Sequence, residues 1–212
     1  MDLSFSCRCG TMTGVIAEVS PKLGTHVHCY CTDCQTSATY LGHDDEVLDE
    51  KGGTEVYQFV PFRLTFTSGA DQIGLIRLKD KGLMRWTAKC CNTPMFTSSA
   101  AAGAPIMGIV NPSVRATNPE EAKAAMGPTI GAFCADEGWD TPDIPKVGLP
   151  RLIGRALVRA AGPVLSGKAK HHPLFTADRS PVADAYILTD DELRGIHARL
   201  EEKKAALAAS EV

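Results

Sequence analysis

The stretch HVHCYCTDCQ (26–35) places Cys29, Cys31 and Cys34 within six residues of one another. Such close cysteines form disulfides, bind a metal or act as reactive thiols. Zinc favours four ligands in a tetrahedron, with each sulfur at ~2.3 Å and neighbouring sulfurs roughly 3.8 Å apart. A C-x-C pair on a strand followed by a C-x-x-C turn allows three thiols to reach one ion. The stretch therefore predicts a zinc site in which three thiolates leave a fourth position open.

The composition indicates a reduced cytoplasmic protein. The 212 residues suit one domain, or one domain with an appendage, and 44% hydrophobic residues suffice for an ordinary core. A formal net charge of -3 argues against a nucleic-acid-binding protein, because such domains are usually strongly basic. The N-terminal MDLSFSCRCG lacks the features of a signal peptide, and no apolar run approaches the ~18 residues of a membrane span. In the cytoplasm, metal binding or catalysis is favoured over disulfides for the eight cysteines.

Hydrophobic patterns divide the chain into two parts. Residues 1–110 contain short β-rich runs, such as the alternating RLTFTS (63–68), and predict a zinc-binding β module. Residues 111–212 are predicted to form a mainly helical C-terminal extension packed on that module. Asn118 followed by Pro119 is typical of a helix start.

Two further helices are predicted in the extension. RLIGRALVRAAG (151–162) has the composition of a helix that ends at Gly162–Pro163. Thr189 and Glu192 form a capping box at the start of a long C-terminal helix.

A second group of cysteines is separated widely in the sequence. CRCG supplies Cys7 and Cys9, and KCCNTP supplies Cys90 and Cys91, which suggests a metal that clips two hairpins together. Adjacent cysteines point to opposite sides of an extended strand, so both can bind one ion only if the backbone turns there. The alternative is that Cys90 is a small core residue. Cys134 is isolated and is expected to be buried rather than a ligand.

The ordered motifs CRCG (7–10), HCYCTDCQ (28–35) and LMRWTAKCCNTPM (83–95) resemble those of the glutathione-dependent formaldehyde-activating enzyme family, and an uncharacterised bacterial branch of it in particular. The resemblance covers about half of the chain, up to Val110. It implies a β-tent fold of small antiparallel sheets, with one or two zinc ions per chain. It also implies structural ligands at Cys7, Cys9 and Cys91, and a catalytic zinc on Cys29, Cys31 and Cys34 that is associated with adding formaldehyde to the glutathione thiol.

The sequence departs from that family at two positions of the late motif. When NTPM is aligned with the family's G-T-P-L, Ala88 stands in place of the first late cysteine and Asn92 in place of a glycine. The fourth structural ligand is then missing unless Cys90 replaces it through a local turn.

Other polar residues near these motifs have two interpretations each. His26 and His28 share one strand face while Cys29 faces the other way. His28 either orients a ligand of the metal or is an ordinary strand histidine, and the second interpretation is favoured. Arg85 either holds a substrate carboxylate or is a surface cation beside the core residue Trp86, and the surface cation is the commoner arrangement.

The predicted helix at 151–162 lies in a basic segment. No acidic residue occurs between Asp143 and Asp178, and Arg151, Arg155 and Arg159 recur on one helix face. This helix either binds an anionic surface or a partner, or it covers the β module with its apolar side and leaves the arginines in water. The second interpretation is favoured.

Two functions are consistent with the sequence. The first is a mainly β, zinc-bearing β-tent protein with a helical C-terminal segment, acting as a carbon–sulfur lyase on a thiol adduct such as S-hydroxymethylglutathione. The alternative is a non-catalytic module that zinc staples together and whose helical segment binds a protein partner. A redox or metal sensor is a third class, for which the sequence offers no positioned resolving cysteine pair. The sequence does not indicate an oligomeric state.

Overall fold

The structure, a computed structural model, describes residues 1–102 and 104–210. These residues form mostly β-sheet, with helices concentrated after residue 110. The strands are β1 (Leu3–Ser6), β2 (Thr13–Ile16), β3 (Thr25–Cys29), β4 (Thr54–Phe59), β5 (Leu64–Ser68), β6 (Ile73–Arg77), β7 (Met84–Ala88), β8 (Thr93–Ser98), β9 (Met107–Val110), β10 (Ala132–Phe133) and β11 (Ala185–Ile187). The α-helices are α1 (Thr32–Tyr40), α2 (Asp44–Val47), α3 (Pro112–Arg115), α4 (Pro119–Met126), α5 (Leu149–Leu165) and α6 (Asp190–Ser210).

The strands form two sheets. A three-stranded antiparallel sheet has the order β1-β2-β5, and an eight-stranded sheet has the order β10-β3-β4-β9-β8-β7-β6-β11. Alternation in β1 buries Leu3 and Phe5 and exposes the residue between them, as expected for a strand with one covered face. Phe5 packs edge-on against Phe96 of the larger sheet, with ring centroids 5.4 Å apart. The main core lies between the two sheets around Trp86, which is fully buried.

The extension contributes strands as well as helices. β10 pairs in parallel with β3, and β11 pairs in parallel with β6, so residues after 110 form both edges of the larger sheet. The predicted boundary at residue 110 therefore lies within a continuous sheet. No helix in the described part of the chain is long and apolar enough to cross a membrane.

The predicted helix ends agree with the structure in two cases. Asn118 caps α4 by accepting a hydrogen bond from the backbone of Glu121, and Pro119 occupies the first turn. At α6, Thr189 and Glu192 form the reciprocal capping box.

The prediction for the basic helix was wrong in two respects. α5 continues through Gly162 and Pro163 to Leu165. Arg151 is exposed as expected, but Arg155 and Arg159 are half-buried and both bond the hydroxyl of Thr25. α5 also exposes large apolar residues, among them Leu157.

Candidate metal centres

The first group of thiols joins the β1–β2 loop to the β7–β8 turn. The sulfur of Cys7 lies 3.6 Å from that of Cys9 and 3.8 Å from that of Cys90. The Cys9 and Cys90 sulfurs are 3.4 Å apart, and Cys91 lies 3.8 Å from Cys90. All four sulfurs lie within 4.8 Å of one another. We call them the four-cysteine group; it could hold a metal ion with no ligand position left open.

Two left-handed residues make this group geometrically feasible. Gly10 follows Cys9 with φ +80°, and Asn92 follows Cys91 with φ +54°. Asparagine tolerates this conformation better than most other residues with a side chain, so Asn92 allows the turn at this position. Between Ala88 and Asn92 the backbone turns, with the amide of Cys91 donating to the carbonyl of Ala88 at 3.1 Å. The local turn brings Cys90 to the other sulfurs, and because Cys90 is exposed the core interpretation was wrong.

The second group of thiols lies where β3 passes into α1. The Cys29 sulfur is 3.3 Å from that of Cys31 and 3.7 Å from that of Cys34, and the three lie within 4.8 Å of one another. Cys29 ends the strand, Cys31 is the extended residue before the helix, and Cys34 lies in the first helical turn. We call them the three-cysteine group. Three thiols could hold a metal ion and leave one position for another ligand.

A distant loop fixes the start of α1. The Glu137 carboxylate accepts hydrogen bonds from the backbone and the hydroxyl of Thr32, at 2.7 and 2.9 Å. The buried amide of Gln35 donates to the carbonyls of Tyr30 and Glu137 at 2.8 and 3.1 Å, and its oxygen accepts from the Trp139 indole at 3.1 Å. The sequence predicted neither these hydrogen bonds nor the helix α1 itself. No neighbouring side chain caps the start of α1. The carboxylate that accepts from Thr32 belongs to Glu137, which lies 105 positions later in the chain.

Arg85 is the cation of the three-cysteine group. Its side chain is buried, with Nη1 3.8 Å from the Cys34 sulfur and 3.2 Å from the Ser37 hydroxyl. Its Nη2 lies 3.6 Å from the Asp33 carboxylate and has no hydrogen-bond partner. The interpretation of Arg85 as a surface cation was therefore wrong. A buried guanidinium needs a counter-charge nearby, and the thiol group supplies it.

The three thiols do not share protons equally. Hydrogen bonds from Cys29 and Cys31, together with the Arg85 charge, hold the pKa of Cys34 well below its usual range. Hydrogen bonds to Cys31 and Cys34, with burial, raise the pKa of Cys29 well above that range. The Arg85 charge therefore favours the thiolate form at Cys34, while burial and hydrogen bonding favour the thiol form at Cys29.

A small cavity adjoins this centre. Its volume is about 10 Å³, and its lining includes the polar residues Cys34, Ser37 and Arg85 and the apolar residues Trp86 and Phe96. The buried hydroxyl oxygen of Thr54, another lining residue, has no hydrogen-bond partner. At this volume the cavity admits about one water molecule and no larger ligand.

A third set of metal-type side chains is His26, His28 and Glu55. His26 faces the Gly127 carbonyl with Nδ1 and the Glu55 carboxylate with Nε2, each at 2.8 Å. With acceptors at both ring nitrogens, His26 is best satisfied as a charged imidazolium, which offers no lone pair to a metal. His28 lies on the face opposite Cys29 and is 3.6 Å from Asp49, so it does not orient the thiols.

Two other predictions concern residues outside the three-cysteine group. Cys134 is only partly buried, and its pKa is raised to about 11 by burial and by the Glu137 charge. In the described part of the chain it belongs to neither group of converging sulfurs. His43 lies in the polar stretch 43–46, for which the sequence favours a solvated loop over a pocket lining, yet it is buried and lies 2.9 Å from the carbonyl of Cys91, which supports the turn of the four-cysteine group.

Both cysteine groups lie in the part of the chain that matches one protein family model. A family model with the description "Family of unknown function (DUF6151)" matches residues 2–186, which include β1 to β10, α5 and nearly all of β11. A search of curated proteins gives no match.

Proposed function

The chain belongs to the DUF6151 family of unknown function, and we propose that it is a two-zinc protein with carbon–sulfur lyase activity on a small thiol adduct. One zinc is held by the four-cysteine group and staples two hairpins. The other is held by the three-cysteine group and keeps one position for substrate. The observation that carries the proposal is the difference in ligand count between two all-thiol groups in one fold.

The donor sets suit zinc better than other common metals. Both groups offer sulfur alone, which disfavours magnesium and calcium because these ions prefer oxygen ligands. Sulfur separations of 3.3 to 3.8 Å agree with the roughly 3.8 Å expected between thiolates of tetrahedral zinc. The resemblance implies small antiparallel sheets; the structure has two sheets with cysteine-bearing loops, and the larger has eight strands with a parallel pair at each edge.

The substrate proposed for the open centre is S-hydroxymethylglutathione or a related hydroxymethyl thioether. Its cleavage breaks the carbon–sulfur bond, releases formaldehyde as the hydroxyl proton leaves, and returns a proton to the thiol sulfur. A bound zinc would supply a Lewis acid that stabilises the sulfur as a thiolate. Arg85 adds a fixed positive charge beside Cys34, and the low-dielectric cavity strengthens its effect on developing negative charge.

Cysteine substitutions test the assignment of the two sites. Cys31→Ser is expected to lower the zinc content from two ions per chain to one and to abolish cleavage of the adduct. Cys90→Ser is expected to remove the other ion. It should lower cleavage only as far as it lowers the stability of the folded protein. Cys134→Ser is the matched control, because its sulfur belongs to neither group, and it is expected to change neither quantity.

Zinc content is measured by elemental analysis, and adduct cleavage by exchange NMR on mixtures of formaldehyde and glutathione. If Cys31→Ser retains both zinc ions and full activity, the assignment of the open centre is wrong. If it loses one zinc and the wild-type protein has no activity on any hydroxymethyl thioether, the metal site stands and the lyase proposal fails.

A further inference from the structure

α5 exposes an unusually apolar surface. Its outward-facing side chains are Leu149, Ile153, Leu157, Val158, Val164 and Leu165, which are between 48% and 89% exposed. With 3.6 residues per turn, these positions cover most of the solvent side of the helix, where a surface helix ordinarily carries charge, and the exposed Arg151 lies at their border. Ala161 and Gly154 fill the spaces between them and add no polar group.

The orientation of α5 is fixed by contacts on its other side. Leu152, Ala156 and Ala160 are buried against the body of the protein. Arg155 donates to the carbonyls of Pro21 and Gly24, at 2.8 and 3.3 Å. Rotating α5 so that its large apolar side chains faced inward would break these hydrogen bonds. It would also put large side chains at the positions where Ala156 and Ala160 now pack. The apolar surface is therefore a property of the folded protein.

The border of this surface carries uncompensated positive charge. A groove of about 510 Å³ is lined by Lys22, Arg151, Arg155 and Arg159 together with the exposed Val158. Among the described residues, no carboxylate forms an ion pair with any of these four cations. Arg155 and Arg159 converge on one hydroxyl, and Arg159 Nη2 is buried without a hydrogen-bond partner. Two neighbouring guanidinium groups without an acid form a site for an anion.

We propose that α5 docks this protein on the surface of an anionic lipid bilayer. The helix lies in the plane of the interface, with Leu157, Val158 and Leu165 among the acyl-chain ends and the arginine-lined groove against lipid phosphates. Apolar side chains on one face and arginines along its border are the arrangement that interfacial helices use. This inference is independent of the zinc chemistry.

The charge of the segment favours a bilayer over a second copy of the chain. From residue 144 to residue 177 every charged side chain is basic. A symmetric dimer would bring this basic surface against a second copy of itself and supply no acidic residue to compensate it. An anionic bilayer supplies the opposite charge and the apolar layer together.

Vesicle flotation of the full-length protein tests the proposal. The vesicles are phosphatidylcholine alone, or phosphatidylcholine with about 30 mol% phosphatidylglycerol, the anionic component that attracts basic segments. The wild-type protein is expected to float with the anionic vesicles, to remain in solution with the neutral ones, and to be released at about 1 M NaCl, where the Debye length is ~3 Å.

Variants separate the two parts of the surface. Leu157→Ser combined with Val158→Ser is expected to weaken partitioning roughly tenfold, because two side chains no longer enter the apolar layer. Arg151→Glu is expected to weaken it at least about fivefold, since one cation near the bilayer is lost and an anion is added. Leu83→Ser is the matched control: Leu83 is 48% exposed in the β6–β7 turn, and partitioning should not change. All these positions are exposed, so the melting temperature serves as the check on folding.

Three results of the flotation experiment would overturn the proposal. They are equal binding to neutral and anionic vesicles, no binding to either, or unchanged binding by the Leu157→Ser, Val158→Ser variant. A wild-type dimer in light scattering that this double variant converts to monomer would also overturn it, because a second copy would then cover the surface.

Discussion

Replacing Arg85 by methionine should weaken metal binding at the three-cysteine group while sparing the four-cysteine group. At 3.8 Å from the Cys34 sulfur, a full charge pair is worth about 4 kcal/mol at an effective dielectric constant of ~20. Arg85 is buried, so solvent does not screen this interaction away. Methionine fills a similar volume and leaves the negative charge of the centre without its partner.

The loss of affinity is expected to be smaller than this full energy. With three thiolates and one dication the metal-bound centre would have one net negative charge, and in the metal-free group the Arg85 charge lowers the pKa of Cys34. Without Arg85 the metal-free group escapes its penalty by protonating Cys34, whereas the metal-bound centre does not. We therefore expect a decrease of about 10- to 100-fold, the range found for other groups that support metal ligands.

Competition with a chromophoric chelator measures this effect as two separate binding steps. In Arg85→Met one step should weaken by that factor, and about one more proton should be released for each metal bound, as followed with a pH indicator. Arg85→Lys keeps the charge and should recover most of the affinity. Arg63→Met removes a comparably buried arginine that pairs with Glu18, and it should change neither step. The reasoning is refuted if both steps weaken equally, or if proton release is unchanged.

Three further perturbations test other parts of the structure. Removal of both metals by a strong chelator should lower the melting temperature by roughly 10 °C. The free energy of metal binding contributes several kcal/mol to folding, and each kcal/mol shifts the melting temperature by ~2–4 °C for a chain of this size. Asn92→Ala should lower the free energy of unfolding by about 1–2 kcal/mol and Asn92→Gly should not, since only alanine is strained at φ +54°; urea titration distinguishes them. Burial lowers the pKa of His26, but hydrogen bonds to Glu55 and Gly127 outweigh it and raise the pKa above 6.5. The charged His26 therefore stabilises the fold fully below pH 6.5, and this stabilisation is lost as the pH rises through the pKa of the folded state. The difference in unfolding free energy between wild type and His26→Gln should therefore shrink from pH 6 to pH 9, and a constant difference would contradict a charged His26.

Local patterns in the sequence predicted the cysteine groups well. Cys29, Cys31 and Cys34 converge because their spacing alone brings the sulfurs within reach. The capping residues Asn118 and Thr189 also act through bonds to nearby backbone, which spacing encodes directly.

The features that the sequence did not predict depend on contacts between distant segments. Glu137 caps α1 across 105 positions, and no local pattern around Thr32 indicates it. Arg85 was expected at the surface because arginines usually are, and its burial follows from α1 covering β7 at Cys34 and Ser37. The sequence shows that Arg151, Arg155 and Arg159 share one face of α5, but this periodicity does not specify which face packs against the rest of the protein. The arginine bonds to Thr25 decide this.

The central claim is that one all-thiol centre is closed and the other is open, and zinc per chain tests it most directly. Elemental analysis is made on freshly purified protein and again after dialysis against a mild chelator. The account predicts two zinc ions at first and one afterwards, with the retained ion lost in Cys90→Ser and not in Cys31→Ser. Protein that carries no zinc, or that keeps both ions equally after dialysis, would contradict it.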